Sequence, residues 1–120
     1  MNEISLKKKY DEIGNVIEEA YFSGDYRHGL TTIYHPSGYK HAEIEFKNGK
    51  KDGKAIEWFE NGKKHIEAEN KDNLRNGSYT SWWENGNLKE KGFYQNGKRV
   101  GKYIWYKEDG TLWNEHIYDN

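Results

Sequence analysis

The chain has 120 residues, no cysteine and a formal net charge of −1, with hydrophobic and charged residues nearly balanced at 33% and 32%. This excludes disulfides, thiol nucleophiles and thiolate metal sites, gives no overall electrostatic footprint for nucleic acid or an anionic membrane, and leaves room for one domain. Aromatic residues reach 16%; they bury more area per side chain than any other type, so the chain is predicted to fold around them.

The N-terminal segment "MNEISLKKKYDEIG" lacks the apolar core of a signal peptide, and no stretch approaches the length of a membrane span. A cytoplasmic location is therefore expected, and membrane association is not. Lys7, Lys8 and Lys9 could meet lipid headgroups, but three charges on a near-neutral chain argue better for the guarding of an edge strand against unwanted pairing.

From Ser5 onward the sequence repeats every 24 residues. Glycine recurs at Gly14, Gly38, Gly62, Gly86 and Gly110, and again at Gly29, Gly53, Gly77 and Gly101, with Ser5 at the head of the second series. An aromatic stands five residues after each member of that second series, at Tyr10, Tyr34, Trp58, Trp82 and Tyr106. The repeats run 5–28, 29–52, 53–76, 77–100 and 101–120, so one repeat domain accounts for the chain.

Within each unit, "TTIYHPSG", "AIEWFENG", "YTSWWENG" and "YIWYKEDG" end in turn dipeptides. Pro36 suits the second position of a type I turn, which places Gly38 in the left-handed position of a three-residue hairpin loop. The segments "KNGKKDG", "KDNLRNG" and "QNGKRVG" read as longer links between hairpins. The predicted fold is all-β: about ten short antiparallel strands in an elongated, twisted meander sheet.

If Glu60, Asn61 and Gly62 form the loop, a regular ladder sets Phe59 opposite Lys63, Trp58 opposite Lys64 and Ile56 opposite Ile66. One face then collects Leu30, Thr32, Tyr34, Ala42, Ile44, Phe46, Ile56, Trp58, Ile66, Ala68, Trp82, Leu88, Gly92 and Tyr94 as the core. The other carries His41, Glu43, Glu45, His65, Glu67 and Glu69, then an aromatic cluster of Tyr79, Trp83, Phe93, Tyr103, Trp105, Trp113 and Ile117. Such a cluster is either an interaction surface or, if the sheet curls, a second small core. The last strand, "TLWNEHIYDN", has no lysine or proline to blunt its edge. Tyr79, Trp83, Tyr103, Trp105, Leu112, Trp113 and Ile117 are therefore the expected partner-binding residues.

Units such as "GKAIEWFENGKKHIE" and "GKYIWYKEDGTLWNE", joined by "YQNGKRVG", resemble the bacterial MORN-repeat-variant family over essentially the whole chain. The resemblance implies tandem β-hairpins acting as a binding scaffold, and an antitoxin-like role in a toxin–antitoxin system. Ser5, the lysine run and Asp72-Asn73 depart from the pattern.

Catalysis finds little support. His41, Glu43, His65 and Glu67 share a face in this reading, but a strand between them sets the two histidines' backbones roughly 9.6 Å apart, too far for easy convergence on one ion. No phosphate loop or nucleophile elbow is present. The expectation is a non-enzymatic scaffold, without metal or cofactor, that binds another protein such as a toxin or effector, or a second copy through its C-terminal edge. The alternative is a glycan or cell-wall-binding aromatic module, whose exposed rings would stack on sugars or choline.

Overall fold

A computed structural model describes residues 3–119 as ten strands in one antiparallel sheet. They are β1 (Ile4–Tyr10), β2 (Val16–Ser23), β3 (Tyr26–Tyr34), β4 (Lys40–Lys47), β5 (Lys50–Trp58), β6 (Lys64–Lys71), β7 (Leu74–Trp82), β8 (Leu88–Gln95), β9 (Lys98–Tyr106) and β10 (Leu112–Tyr118). Each pairs with its neighbours in sequence, so β1 and β10 are the two edges of an open sheet 45 Å along its longest axis. All strands belong to this sheet, and among the described residues nothing is stacked on either face.

Two kinds of turn alternate along the chain. The three-residue loops form as their Gly residues predict: Gly62 N–H donates to the Phe59 carbonyl and Phe59 N–H to the Lys63 carbonyl, both at 2.9 Å, with Gly62 at φ +86°. The same pair of bonds closes the loops ending at Gly14, Gly38, Gly86 and Gly110. The segments expected to be longer links are instead two-residue hairpins. Asn48-Gly49, Asp72-Asn73 and Asn96-Gly97 each place both residues at positive φ, the type I′ geometry that matches strand twist. Asn and Asp tolerate this region, so Asp72-Asn73 replaces Asn-Gly without losing the turn.

The register departs from the regular ladder one step beyond each three-residue loop. Trp58 does pair with Lys64, but Glu57 then pairs with Ile66 and Ile56 with Glu67, leaving His65 as an unpaired bulge residue. The bulge recurs at Ile17, His41, Lys89 and Trp113. One extra residue exchanges the faces of everything that follows on the strand. The expected core face is therefore incorrect: Ile56, Trp58 and Trp82 share a side with Glu43, Glu67 and Thr80, whereas Ala42, Ile44, Ile66 and Ala68 share theirs with Ile33, Ala55 and Tyr79.

Burial follows the corrected register. Ala20, Thr31, Ala42, Ala68, Tyr79, Ser81 and Tyr103 are buried on one face, and only Thr32 is buried on the other. Tyr79 and Tyr103, with Ala68, form the core cluster, flanked by Ile66, Tyr94, Trp105 and Tyr118. Tyr103 is fully buried. Its ring lies across Gly92, where any Cβ would stand 2.1 Å from Cδ2 of the tyrosine. In a single-layer sheet a side chain is buried only by its neighbours on the same face, so large rings must lie over small residues.

Candidate interaction surface

The seven residues expected to bind a partner do not form one surface. Tyr79 and Tyr103 are in the core. Trp105 packs against Tyr103 with ring centroids 4.8 Å apart, and is itself half-buried. Trp83 stands at the start of a loop and donates its Nε1–H to the Tyr106 carbonyl of the following repeat at 3.1 Å. Leu112, Trp113 and Ile117 remain: all three are exposed on β10, at 56%, 67% and 72%. Leu112 and Ile117 project to the face opposite the tyrosine core, and Trp113 is the bulge residue between them and Trp105.

The tyrosine core is roofed by cations. The Arg75 guanidinium lies 4.5 Å from the Tyr79 ring centre and 5.5 Å from that of Tyr94; the Arg99 guanidinium lies 4.8 Å from Tyr103 and 5.6 Å from Trp105. At the same repeat position Arg27 covers Phe22 and Phe46, bonds Thr31 Oγ1 and pairs with Glu18 at 3.3 Å. Burial pushes the Tyr79 hydroxyl up to about 12, and burial together with the Tyr94 hydroxyl raises Tyr103 further still. These groups are neutral at physiological pH and serve packing. The arginine column carries no mark in the sequence until the register is known, because Arg27, Arg75 and Arg99 stand second in their strands, among other polar and charged residues.

Both rims of the sheet are stitched between repeats. On the loop rim Asn61 Nδ2 donates to the Glu84 carbonyl and Asn85 Nδ2 to the Glu108 carbonyl, at 3.2 and 2.9 Å. His35 Nε2 lies 2.9 Å from the Trp58 carbonyl, the place that Trp83 Nε1 fills one repeat pair later. On the opposite rim Gly49, Asn73 and Gly97 donate their N–H groups to the carbonyls of Arg27, Lys51 and Arg75.

His41 and His65 are bulge residues, and each stacks on the residue just before its own loop, His41 on His35 and His65 on Phe59, with centroids 4.2 Å apart. Glu67 instead takes Lys64 at 3.0 Å, whose ammonium holds its carboxyl below the ordinary range. Among the described residues no group of three or more histidines and acids is placed to hold a metal ion. A depression of about 420 Å³ is open and lies between the first two loops, lined by Asp11, Ile17, Glu19, Tyr34, His35 and Pro36 among others. Tyr34 bonds Glu19 across it.

The β1 edge differs from expectation in part. Lys8 pairs with Glu19 at 3.7 Å, Lys9 with Glu18 at 3.5 Å, and Lys7 lies 4.6 Å from the Phe22 ring, so all three lysines are engaged by β2. On either side of them the same strand exposes Ile4, Leu6 and Tyr10. With Lys8 these residues hold every second position of β1, the signal of an apolar stripe that the lysine run obscures.

No helix of the described residues is long and apolar enough to cross a membrane. Among curated proteins none matches the chain. The family model for the MORN repeat variant matches residues 27–48, 51–70, 75–96 and 99–120, which are the last four hairpins, each centred on a three-residue loop; the first hairpin lies outside the match. On those four tandem matches, covering well over half of its residues, the chain belongs to the MORN repeat variant family.

Proposed function

We propose that this repeat scaffold is non-enzymatic and cytoplasmic, and that it takes up another polypeptide at its β10 edge. The supporting observation is the exposure of Leu112, Trp113 and Ile117 on a strand bonded on one side only. A strand edge offers a row of backbone donors and acceptors, and apolar side chains beside it add affinity to the added strand. A toxin or effector is one class of protein that such an edge would hold.

A photo-crosslinking residue at position 117 tests this, with position 45, an exposed site in mid-sheet, as control. Crosslinks to polypeptide are expected from 117 and not from 45, and Trp113→Lys should remove them without altering the circular dichroism of the fold. Equal crosslinking from both positions, or none from 117, would overturn the reading.

The glycan-binding alternative draws on the column of Tyr34, Trp58, Trp82 and Tyr106, which share a face at a spacing of two strands, about 9.6 Å. These rings are half-buried, and the Lys64 ammonium already lies 5.9 Å from the centre of Trp82. The edge reading is therefore preferred; measurable binding to a soluble oligosaccharide, lost in Trp58→Ala, would reverse that preference.

A further inference from the structure

We infer that the polypeptide received by β10 is the β1 edge of a second copy of this chain, added head to tail. The inference rests on the reading of β10 as a docking edge and names its partner.

The sheet itself supplies the template. Wherever an even-numbered strand meets the next odd one, the same repeat positions pair: Glu19 with Thr32, Glu43 with Ile56, Glu67 with Thr80, and Lys91 with Ile104. Carrying that rule one repeat beyond β10 sets Glu115 opposite Lys8 of a second copy, Asn114 opposite Lys9 and His116 opposite Lys7. Elsewhere this ladder is then bent by the glycine of the next strand, as at Gly53, where a Cβ would stand 2.3 Å from Glu45. Ser5 replaces that glycine in β1, and β1 pairs with β2 in unbroken register from Ile4 to Lys9. A regular ladder on its other side places Ile117 directly opposite Leu6 of the second copy.

The two edges match in chemistry as well as register. Ile117 and Leu6 are both exposed and project to the face away from the tyrosine core, as do Leu112 and Tyr10 beyond the Glu115 and Lys8 level. Glu115 meets the Lys8 ammonium, which lies on that face beside Glu19. Opposite charges directly across a ladder stabilise it, and like charges destabilise it. Two-fold pairing of β10 with itself fares worse in the registers centred on Glu115 and on Ile117: the first sets that carboxylate against its own copy, and the second sets Glu115 against Asp119. Pairing β1 with itself about Lys8 opposes lysines. A head-to-tail contact leaves a free β1 edge and a free β10 edge on every pair, so assembly continues past the dimer into an open series or a closed ring of copies.

Charge exchange tests the assignment by sedimentation. Glu115→Lys alone and Lys8→Glu alone should each weaken self-association at least tenfold, and an equimolar mixture of the two should restore it, since both junctions in the mixture pair opposite charges. Because Lys8→Glu also faces Glu19, a second test leaves every charge in place. The chain has no cysteine of its own, so Leu6→Cys and Ile117→Cys proteins mixed under oxidation should give a disulfide-linked heterodimer, and the double variant a ladder of multimers. A disulfide dimer from Ile117→Cys alone would show two-fold pairing and overturn the inference. So would a wild-type chain that stays monomeric at every concentration with no crosslink between copies. Crosslinks from position 117 to a different polypeptide only would overturn the inference while keeping β10 as the docking edge; no crosslink from 117 to any polypeptide would overturn both.

Discussion

The two halves of the core face solve one problem differently. In the row that crosses the middle of strands β2 to β9, the N-terminal half carries Ala20, Thr31, Ile44, Ala55 and Ala68, and the C-terminal half Tyr79, Gly92 and Tyr103. The C-terminal half buries two whole rings, one of them over a glycine. The N-terminal half keeps a low floor and covers it with Arg27, tied to Thr31 and to Glu18. A partly exposed ion pair contributes little net stability, whereas buried aromatic area contributes several kcal/mol. A repeat that looks uniform in sequence therefore has its stability concentrated in β7 to β10, next to the edge proposed to dock a partner.

That asymmetry is open to direct attack at equivalent positions. Tyr103→Ala should cost about 3–5 kcal/mol in urea melts, and Thr31→Ala, one hydrogen bond to Arg27, about 1 kcal/mol. Similar losses would mean that stability is spread evenly along the sheet. Next in size is Gly92→Ala: a Cβ 2.1 Å from Tyr103 Cδ2 cannot be accommodated without moving the ring, which should cost about 1–3 kcal/mol. If Gly92→Ala is neutral, Tyr103 is not held where the core requires it.

Alkali should find the same half first. A free tyrosine ionises near pH 10, whereas burial pushes Tyr79 up to about 12 in the fold and raises Tyr103 beyond that. The folded chain thus keeps protons that the unfolded chain releases. Stability from this source is fully present below pH 10 and is lost as pH rises through about 12. Tyr79→Phe should shift the alkaline transition of β7 to β10, followed by hydrogen exchange, to higher pH and leave β2 to β4 unchanged. A transition that moves equally in both halves would show that tyrosine ionisation is not its cause.

Strand number and the three-residue loops were legible because they rest on local chemistry: glycine after Asn, Asp or Ser, and an aromatic at a fixed distance before it; the two-residue turns at Asn48-Gly49, Asp72-Asn73 and Asn96-Gly97 were read as longer links. The faces were not legible. A bulge residue has no characteristic composition, and here it is Ile17, His41, His65, Lys89 or Trp113, five positions with almost nothing in common. One sign was present in Gly92, a glycine in a strand interior where Ala20 and Ala68 stand in other repeats, which points to a large side chain crossing it. For the candidate edge, Leu112, Trp113 and Ile117 were readable from the absence of lysine and proline in β10. Tyr79 and Tyr103 were misplaced by the same one-residue error, and the Ile4 and Leu6 stripe was hidden by the lysine run that follows it.

The smallest expected effect concerns the loop rim, where neighbouring repeats differ in a single donor. His35 and Trp83 occupy the same repeat position, and each places a ring nitrogen about 3 Å from the backbone carbonyl that begins the next loop, Trp58 or Tyr106. Phe59 stands at that position between them and has no nitrogen to offer. The second tryptophan of the Trp82-Trp83 pair is thus an inter-repeat fastener covered by the Lys89 ammonium at 4.7 Å, and not a member of the core. Trp83→Phe keeps the ring and removes one hydrogen bond, so it should cost about 0.5–1.5 kcal/mol. Phe59→Trp should recover a similar amount by reaching the Trp82 carbonyl. Urea melts of the two variants and their combination decide this: a loss above 3 kcal/mol for Trp83→Phe would return Trp83 to the core, and no gain from Phe59→Trp would show that the rim position does not act through its donor.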